Sequence, residues 1–205
     1  MPIIRDSDSA DVVLERLQAT SVRLRSNPDL QDMTEACDAV VEKIEVKVKA
    51  HRKAVAGRMA ATLVIGRRDR ALNKVFMFLA RAVAAATNGD REAPVYKAIF
   101  HKAPSAIIRP NGGPEQARDI ELVLEALASH PLAEPFRGHI EPIRTHLAQL
   151  TAAENERTAL YLVEGSAEIA RRAGLDEGIR FHSGLRTPLM MLFKDDEDEV
   201  NSYIG

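Results

Sequence analysis

The stretch from Thr34 to Gly66, TEACDAVVEKIEVKVKAHRKAVAGRMAATLVIG, decides the fold, because its apolar residues recur at the spacing of one long amphipathic helix. Counted from Cys37, alternating steps of four and three residues mark a heptad seam. This seam comprises Cys37, Val41, Ile44, Val48, His51, Val55, Arg58 and Thr62. Burying one Val or Ile side chain contributes roughly 1.5–3 kcal/mol. We therefore expect this face to pack against other helices, either within the chain or on a second copy of it.

Five residues of the seam are assigned to helix packing, namely Val41, Ile44, Val48, His51 and Val55. His51 is the polar member of this set. A polar residue at a core position can set the register between helices or couple packing to pH. The expected role is that of a hydrogen-bonded structural histidine.

The composition of the whole chain also favours helices. Of its 205 residues 45% are hydrophobic, yet only 4% are aromatic and none is Trp. A core of Leu, Ile, Val and Ala is typical of helix bundles. We therefore predict an all-α fold, an elongated helical bundle.

The order of helices and breaks divides the sequence into four predicted segments. These are an N-terminal helical half with the long basic helix (1–103), a connector rich in Pro and Gly (104–114), a C-terminal helical half (115–194) and an acidic tail (195–205). Gly66 is either a break in the long helix or a tolerated kink, since one Gly costs about 1 kcal/mol in a helix. The tail is expected to be disordered and solvated, and docking onto the basic helix is the alternative.

The two halves share an order of features. Ser26-Asn27-Pro28 and Ser129-His130-Pro131 each stop one helix ahead of a longer one. Such similarity predicts two tandem three-helix units related by internal duplication.

The sequence predicts no catalytic residue, no cofactor and no metal site. None of the six His residues has an acidic residue three positions before it, so the Glu-x-x-His pairs of di-iron bundles are missing. Cys37 lies in an apolar seam, where an unactivated thiol is expected. The turn at Pro110–Pro114 precedes a helix but lacks the Lys-Ser/Thr of a phosphate-binding loop. A small-ligand-binding or enzymatic bundle is accordingly only the minor alternative.

The long helix is strongly basic. Between Lys43 and Arg81 there are eleven Lys and Arg residues against Glu45 and Asp69, a local charge of +9. Such a surface can neutralise nucleic-acid phosphates. The candidate residues are Lys43, Lys47, Lys49, Arg52, Lys53, Arg67, Arg68 and Arg70. Aromatic residues for base stacking are sparse, which favours a solvated face or one paired with acidic helices of the same chain.

The remaining signals bear on location and partners. Met1–Asp8 has no apolar core of a secretory signal, and no stretch approaches the roughly 20 apolar residues of a membrane span. With a single Cys, we expect a cytoplasmic protein without a membrane partner. The favoured function is a non-enzymatic helical interaction or scaffold protein that associates with itself or with another protein through heptad-like seams. The alternative is an anion or nucleic-acid binder that uses the Lys43–Arg81 surface.

Overall fold

The computed structural model describes residues 8–108, 113–194 and 196–204, and within these ranges it contains helices and no strand. The α-helices are α1 (Ala10–Leu24), α2 (Gln31–Ala86), α3 (Pro94–Ile99), α4 (Pro104–Ile107), α5 (Pro114–Ser129), α6 (Ile140–Gly184), α7 (Arg186–Leu192) and α8 (Glu197–Ile204). Short 3-10 helices, Pro28–Leu30 and Pro131–His139, lead into α2 and α6. The predicted all-α helical bundle is confirmed.

Polar caps and prolines set the first helix boundaries. The Ser9 side chain caps α1 by accepting a hydrogen bond from the Val12 amide (3.4 Å), as Ser does at many helix starts. Before α2, the Asn27 side chain accepts a hydrogen bond from the Asp29 amide (3.0 Å). Pro28 suits the first position of a helix because its φ is already helical.

Helix α2 runs unbroken for 56 residues. Gly66 therefore does not end it, and neither does Gly174 end the 45-residue α6. The cost of one helical Gly is small beside the burial of apolar neighbours such as Ile65. Pro142 lies in the first turn of α6, where a missing amide hydrogen breaks no helical hydrogen bond.

The chain divides into two compact units, and α2 and α6 each contribute residues to both. Unit 1 holds the residues up to Gly57 and those from Tyr161 onward, and unit 2 holds Arg58–Leu160. Residues 104–108, the described start of the predicted connector, belong to unit 2, where Ile107 of α4 is fully buried in the core. Positions 109–112 of the connector, including most of the Pro110–Pro114 turn, lie outside the described residues. The internal duplication stays a prediction.

The core of unit 1 joins α1, the first half of α2 and the end of α6. Its buried apolar residues include Val13, Leu17, Leu30, Cys37, Ile44, Leu175 and Leu189. The closest approach is at Gly178 of α6, where an added Cβ would lie 2.5 Å from Ile44 Cδ1 and 3.0 Å from Leu17 Cδ1. A larger residue at this position would therefore force the Ile44 and Leu17 side chains to move.

The core of unit 2 joins the second half of α2 to α3, α5 and the first part of α6. Its buried residues include Leu72, Phe76, Leu79, Val83, Ile120, Leu127 and Ile143. Phe100 contacts Phe76 edge-on, with 6.2 Å between ring centroids. Helices α3 and α4 pack against α5.

The predicted acidic tail contains a docked helix. Val200 and Tyr203 of α8 are buried, and the Tyr203 ring stacks on Phe193 at 5.4 Å. Helix α8 contacts α1 and α7. Glu197 pairs with Arg186 (3.3 Å) rather than with the basic residues of α2. This segment docks rather than being solvated because Val200 and Tyr203, three residues apart after the acidic run, give α8 an apolar face.

Candidate interaction surface

The predicted seam of α2 is covered by the chain itself. Val41, Ile44 and Val48 lie in the core of unit 1, and His51 and Val55 are half-buried. We call Cys37, Val41, Ile44 and Val48 the covered seam. It is not available to a second copy unless unit 1 opens.

Further along α2 the buried face leaves the predicted heptad positions. Thr62 is exposed, and Ala61, Ile65 and Asp69 are buried instead. A straight helix drifts by roughly 20° per heptad. Two consecutive steps of four, from Ala61 to Ile65 to Asp69, keep the buried side facing the core of unit 2.

His51 is held by a carboxylate from α6. Its Nε2 lies 3.3 Å from Glu168 Oε2. Glu168 also accepts hydrogen bonds from Arg171 (2.6 and 2.8 Å) and Arg172 (2.7 Å). The hydrogen bond from Arg171 is the largest cause, followed by that from Arg172, and together they lower the pKa of Glu168 to about 2. The polar residue in the seam therefore contacts a carboxylate of α6.

In unit 1 much of the predicted basic surface is neutralised. Lys43 and Lys47 place their Nζ atoms 3.4 and 3.6 Å from the carboxylate of Glu177, and the hydrogen bond from Lys43 lowers the pKa of that carboxyl. Arg52 pairs with Asp11 of α1 (2.6 Å). Lys49 and Lys53 are exposed. This part of the run fits the expectation of a face paired with acidic helices of the same chain.

In unit 2 the basic residues have a different environment. Arg68 donates to Gln149 Oε1 of α6 (2.8 Å), and Arg67 and Arg70 are exposed. Asp69, between them in the sequence, is buried and accepts a hydrogen bond from Gln116 (3.0 Å). The two ends of the basic run are thus not equivalent.

Asp69 belongs to a buried polar cluster that the sequence does not reveal. Gln116 Nε2 donates to Asp69 Oδ1 and to Asn73 Oδ1, both at 3.0 Å. Nearby on α5, buried Asp119 binds Lys102 (2.8 and 3.0 Å) and His101 (3.2 Å), and the Lys102 bond lowers the pKa of Asp119. These groups satisfy one another, as buried polar groups must, so the cluster serves the packing of α2 against α5.

A second heptad-like seam lies on α6 and is exposed. Leu162, Ser166, Ile169 and Ala173 follow at steps of four, three and four, and we call them the open seam. Leu162 is 74% exposed and Ile169 is 72% exposed. Helix faces that contact only water normally carry charges.

Beside Leu162, Ser166 and Ile169 the open seam has few charged neighbours, and Asp176 and Glu177 follow Ala173 at its C-terminal end. Val163, Gly165 and Ala170 are exposed beside it. Arg172 stands at its edge and pairs with Glu168. Charge depletion and small side chains that permit close approach characterise the centres of protein interfaces.

The open seam was missed from the sequence because α6 has apolar residues on two sides. Leu175 and Ile179 face the core of unit 1 while Leu162 and Ile169 do not. The four-three-four spacing was present as a signal. The seam's Ser166 and Ala173 hid it, since neither is strongly apolar.

The Cys37 thiol donates to the Leu17 carbonyl (3.4 Å), and burial raises its pKa to about 11, which keeps it protonated. No three His, Cys, Asp or Glu side chains of the described residues are placed to hold a metal. None of the described helices has an apolar stretch long enough to cross a bilayer. Comparison of the chain with protein-family models, curated proteins and solved structures gives no match.

Proposed function

We propose that this chain is a non-enzymatic helical interaction protein that associates reversibly with a second copy of itself through the open seam of α6. The exposure of Leu162 and Ile169 at heptad spacing carries the proposal. We also propose that the protein is cytoplasmic, with which its buried free cysteine is consistent.

A second copy is the favoured partner because the open seam is self-complementary. Ser166 lies between the two large apolar residues, so a two-fold contact centred there brings apolar side chains against apolar side chains. Because charges are sparse on this face, two identical copies meet without strong like-charge repulsion. A strongly charged partner would find little to pair with.

Energetic magnitudes favour a reversible contact. Burying the exposed parts of Leu162 and Ile169 on both copies contributes roughly 4–9 kcal/mol. Association costs a comparable amount in translational and rotational freedom. We therefore expect a dimer whose population depends on protein concentration.

Sedimentation velocity over a wide concentration range tests the proposal. The parent chain should shift from monomer to dimer as concentration rises, and the Leu162→Asp, Ile169→Asp double variant should stay monomeric. A matched control is Val22→Asp, Met191→Asp, because these residues are also exposed in unit 1 but lie on other helices. A parent chain that is monomeric throughout would refute the proposal, and so would a control that dissociates as readily as the seam variant.

A further inference from the structure

The second half of α2 carries a basic stripe that the proposed function does not use. Its members are Arg67, Arg70, Lys74, Phe78 and Arg81. At about 100° per residue they fall within an arc of roughly 80°. This arc lies opposite the buried positions Leu72, Phe76, Leu79 and Val83, so the helix presents the stripe away from the core of unit 2.

The four cations of the stripe are uncompensated. All four are exposed. In the described ranges none of them has an ion-pair partner, and no acidic residue lies three or four positions away on the helix. Lys43, Lys47 and Arg52 at the other end of the basic run are paired. In unit 1 Lys49 and Lys53 are also exposed, so the unit 2 end is distinguished by four unpaired cations on one face, whose field is available to a ligand.

An exposed aromatic ring stands among these cations. Phe78 is 48% exposed and follows Lys74 by one helical turn. Arg81 follows Phe78 at the next turn. A ring flanked by cations is the arrangement with which proteins hold single-stranded nucleic acid, since the cations follow the phosphates while a base stacks on the ring.

We propose that the basic stripe binds the backbone of single-stranded nucleic acid, with Phe78 as the stacking platform for a base. From Arg67 to Arg81 the stripe spans roughly 21 Å at 1.5 Å per residue, which is long enough to meet several successive phosphates. A duplex is the poorer fit because its bases are already stacked and offer nothing to Phe78. An anionic membrane surface is also a poorer fit, since helices that lie in the interface bury a continuous apolar face.

The strength and salt dependence of this binding follow from the residues. Each phosphate neutralised on a single strand contributes about −0.7 to the slope of log affinity against log salt, so full use of four cations gives about −2.8. Loss of a stacked base weakens binding roughly 5- to 150-fold. Removing two of the four cations should bring the slope to about −1.4.

Fluorescence anisotropy of the full chain with a labelled oligothymidine at several salt concentrations tests the inference. Arg70→Glu, Lys74→Glu should abolish or strongly weaken binding at low salt. The matched control is Arg91→Glu, Arg118→Glu, which makes the same change in net charge at exposed positions of unit 2 outside the stripe. The control should weaken binding less than the stripe variant does, since exposed charges away from the bound strand are screened by salt.

The proposed stacking role of Phe78 is tested by a second pair of variants. Phe78→Ala should weaken oligothymidine binding at unchanged salt slope, because it removes a stacking contact and no cation. Leu122→Ala truncates an apolar residue of similar exposure on α5 and should leave affinity unchanged. Helicity by circular dichroism should be the same in all four variants.

Three results would overturn the inference. The first is no oligothymidine binding by the parent chain at low salt. The second is equal loss of binding in the stripe variant and its charge-matched control. The third is binding to phosphatidylserine vesicles or to duplex DNA that exceeds binding to oligothymidine and depends on the same residues. Binding to oligothymidine that fails only in the stripe variants would support it.

Discussion

The covered seam of α2 and the open seam of α6 share one spacing and differ in what lies over them. In the covered seam Ile44 meets α1 and the Gly178 position of α6. In the open seam Leu162 and Ile169 meet no core of either unit. Heptad spacing thus specifies that a helix has an apolar face, and the tertiary structure decides whether that face is core or contact surface.

The strongest test of this difference between the two seams is to place a charge in each of them. Ile44→Asp buries an unpaired carboxylate and should destabilise the monomer by about 4 kcal/mol or more. Ile169→Asp puts the same group in water and should change monomer stability by less than about 0.5 kcal/mol. Urea unfolding followed by circular dichroism at low protein concentration measures both. Equal losses would show that the two seams are not distinct.

A smaller effect is expected where α6 approaches the covered seam. Gly178→Ala inserts a methyl group against Ile44 and Leu17 and should destabilise by about 1–3 kcal/mol. Gly66→Ala is the matched control, because among the described residues no atom lies within 4 Å of its added Cβ. It should stabilise by up to about 1 kcal/mol. If thermal unfolding showed Gly178→Ala to be stabilising, the close packing of α6 on α2 would be wrong.

Glu168 joins the helix of the open seam to His51 of α2, and its pKa predicts an acid sensitivity. Its pKa is lowered from 4.5 to about 2. Its contribution to stability is therefore present above pH 4.5 and is lost as the pH falls towards 2. After allowance for screening, the loss should be about 1–2 kcal/mol. Glu168→Gln should remove this part of the pH dependence, which urea unfolding midpoints at pH 5 and pH 3 measure. A variant that loses as much stability as the parent between these two pH values would contradict the prediction.

Buried His182 should give a smaller dependence at milder pH. Burial, with Arg16 and Arg23 nearby, lowers its pKa below the usual 6.5. The folded state disfavours the proton that the unfolded chain accepts, so stability is complete above pH 6.5 and declines as the pH falls below it. In the His182→Gln variant the urea unfolding midpoint should depend less on pH between pH 7 and pH 5.5. An unchanged slope in that variant would mean that other groups are responsible.

The sequence predicts where the helices lie better than it predicts which residues they contact in the folded chain. Val41, Ile44 and Val48, which the seam spacing selects, are buried in the structure, because periodicity depends on local geometry. It does not reveal that Lys43 pairs with Glu177, 134 residues away. Such pairings depend on the tertiary path of α6. A charge count over α2 therefore overstated the free basic surface, which is confined to unit 2 together with Lys49 and Lys53.

Two other differences have local causes. Thr62 leaves the seam because a straight helix does not keep a seven-residue period. The docked α8 was hidden by the acids around Val200 and Tyr203, whose charges point to a solvated tail if spacing is ignored. For α8, apolar spacing was a better guide than composition.

The central claim, that the open seam is a contact between two copies, is tested most directly by disulfide trapping. Cys37 is buried and, with a pKa of about 11, stays a protonated thiol, so an introduced cysteine reports alone. Ser166→Cys places a thiol at the middle of the open seam, where the proposed two-fold contact should bring Cβ atoms within the roughly 3.5–4.5 Å that a disulfide needs. Ser129→Cys, exposed on α5, is the control. Under mild oxidation, non-reducing electrophoresis should show a covalent dimer for Ser166→Cys and monomer for Ser129→Cys, whereas monomer for both, or equal dimer in both, would contradict the claim.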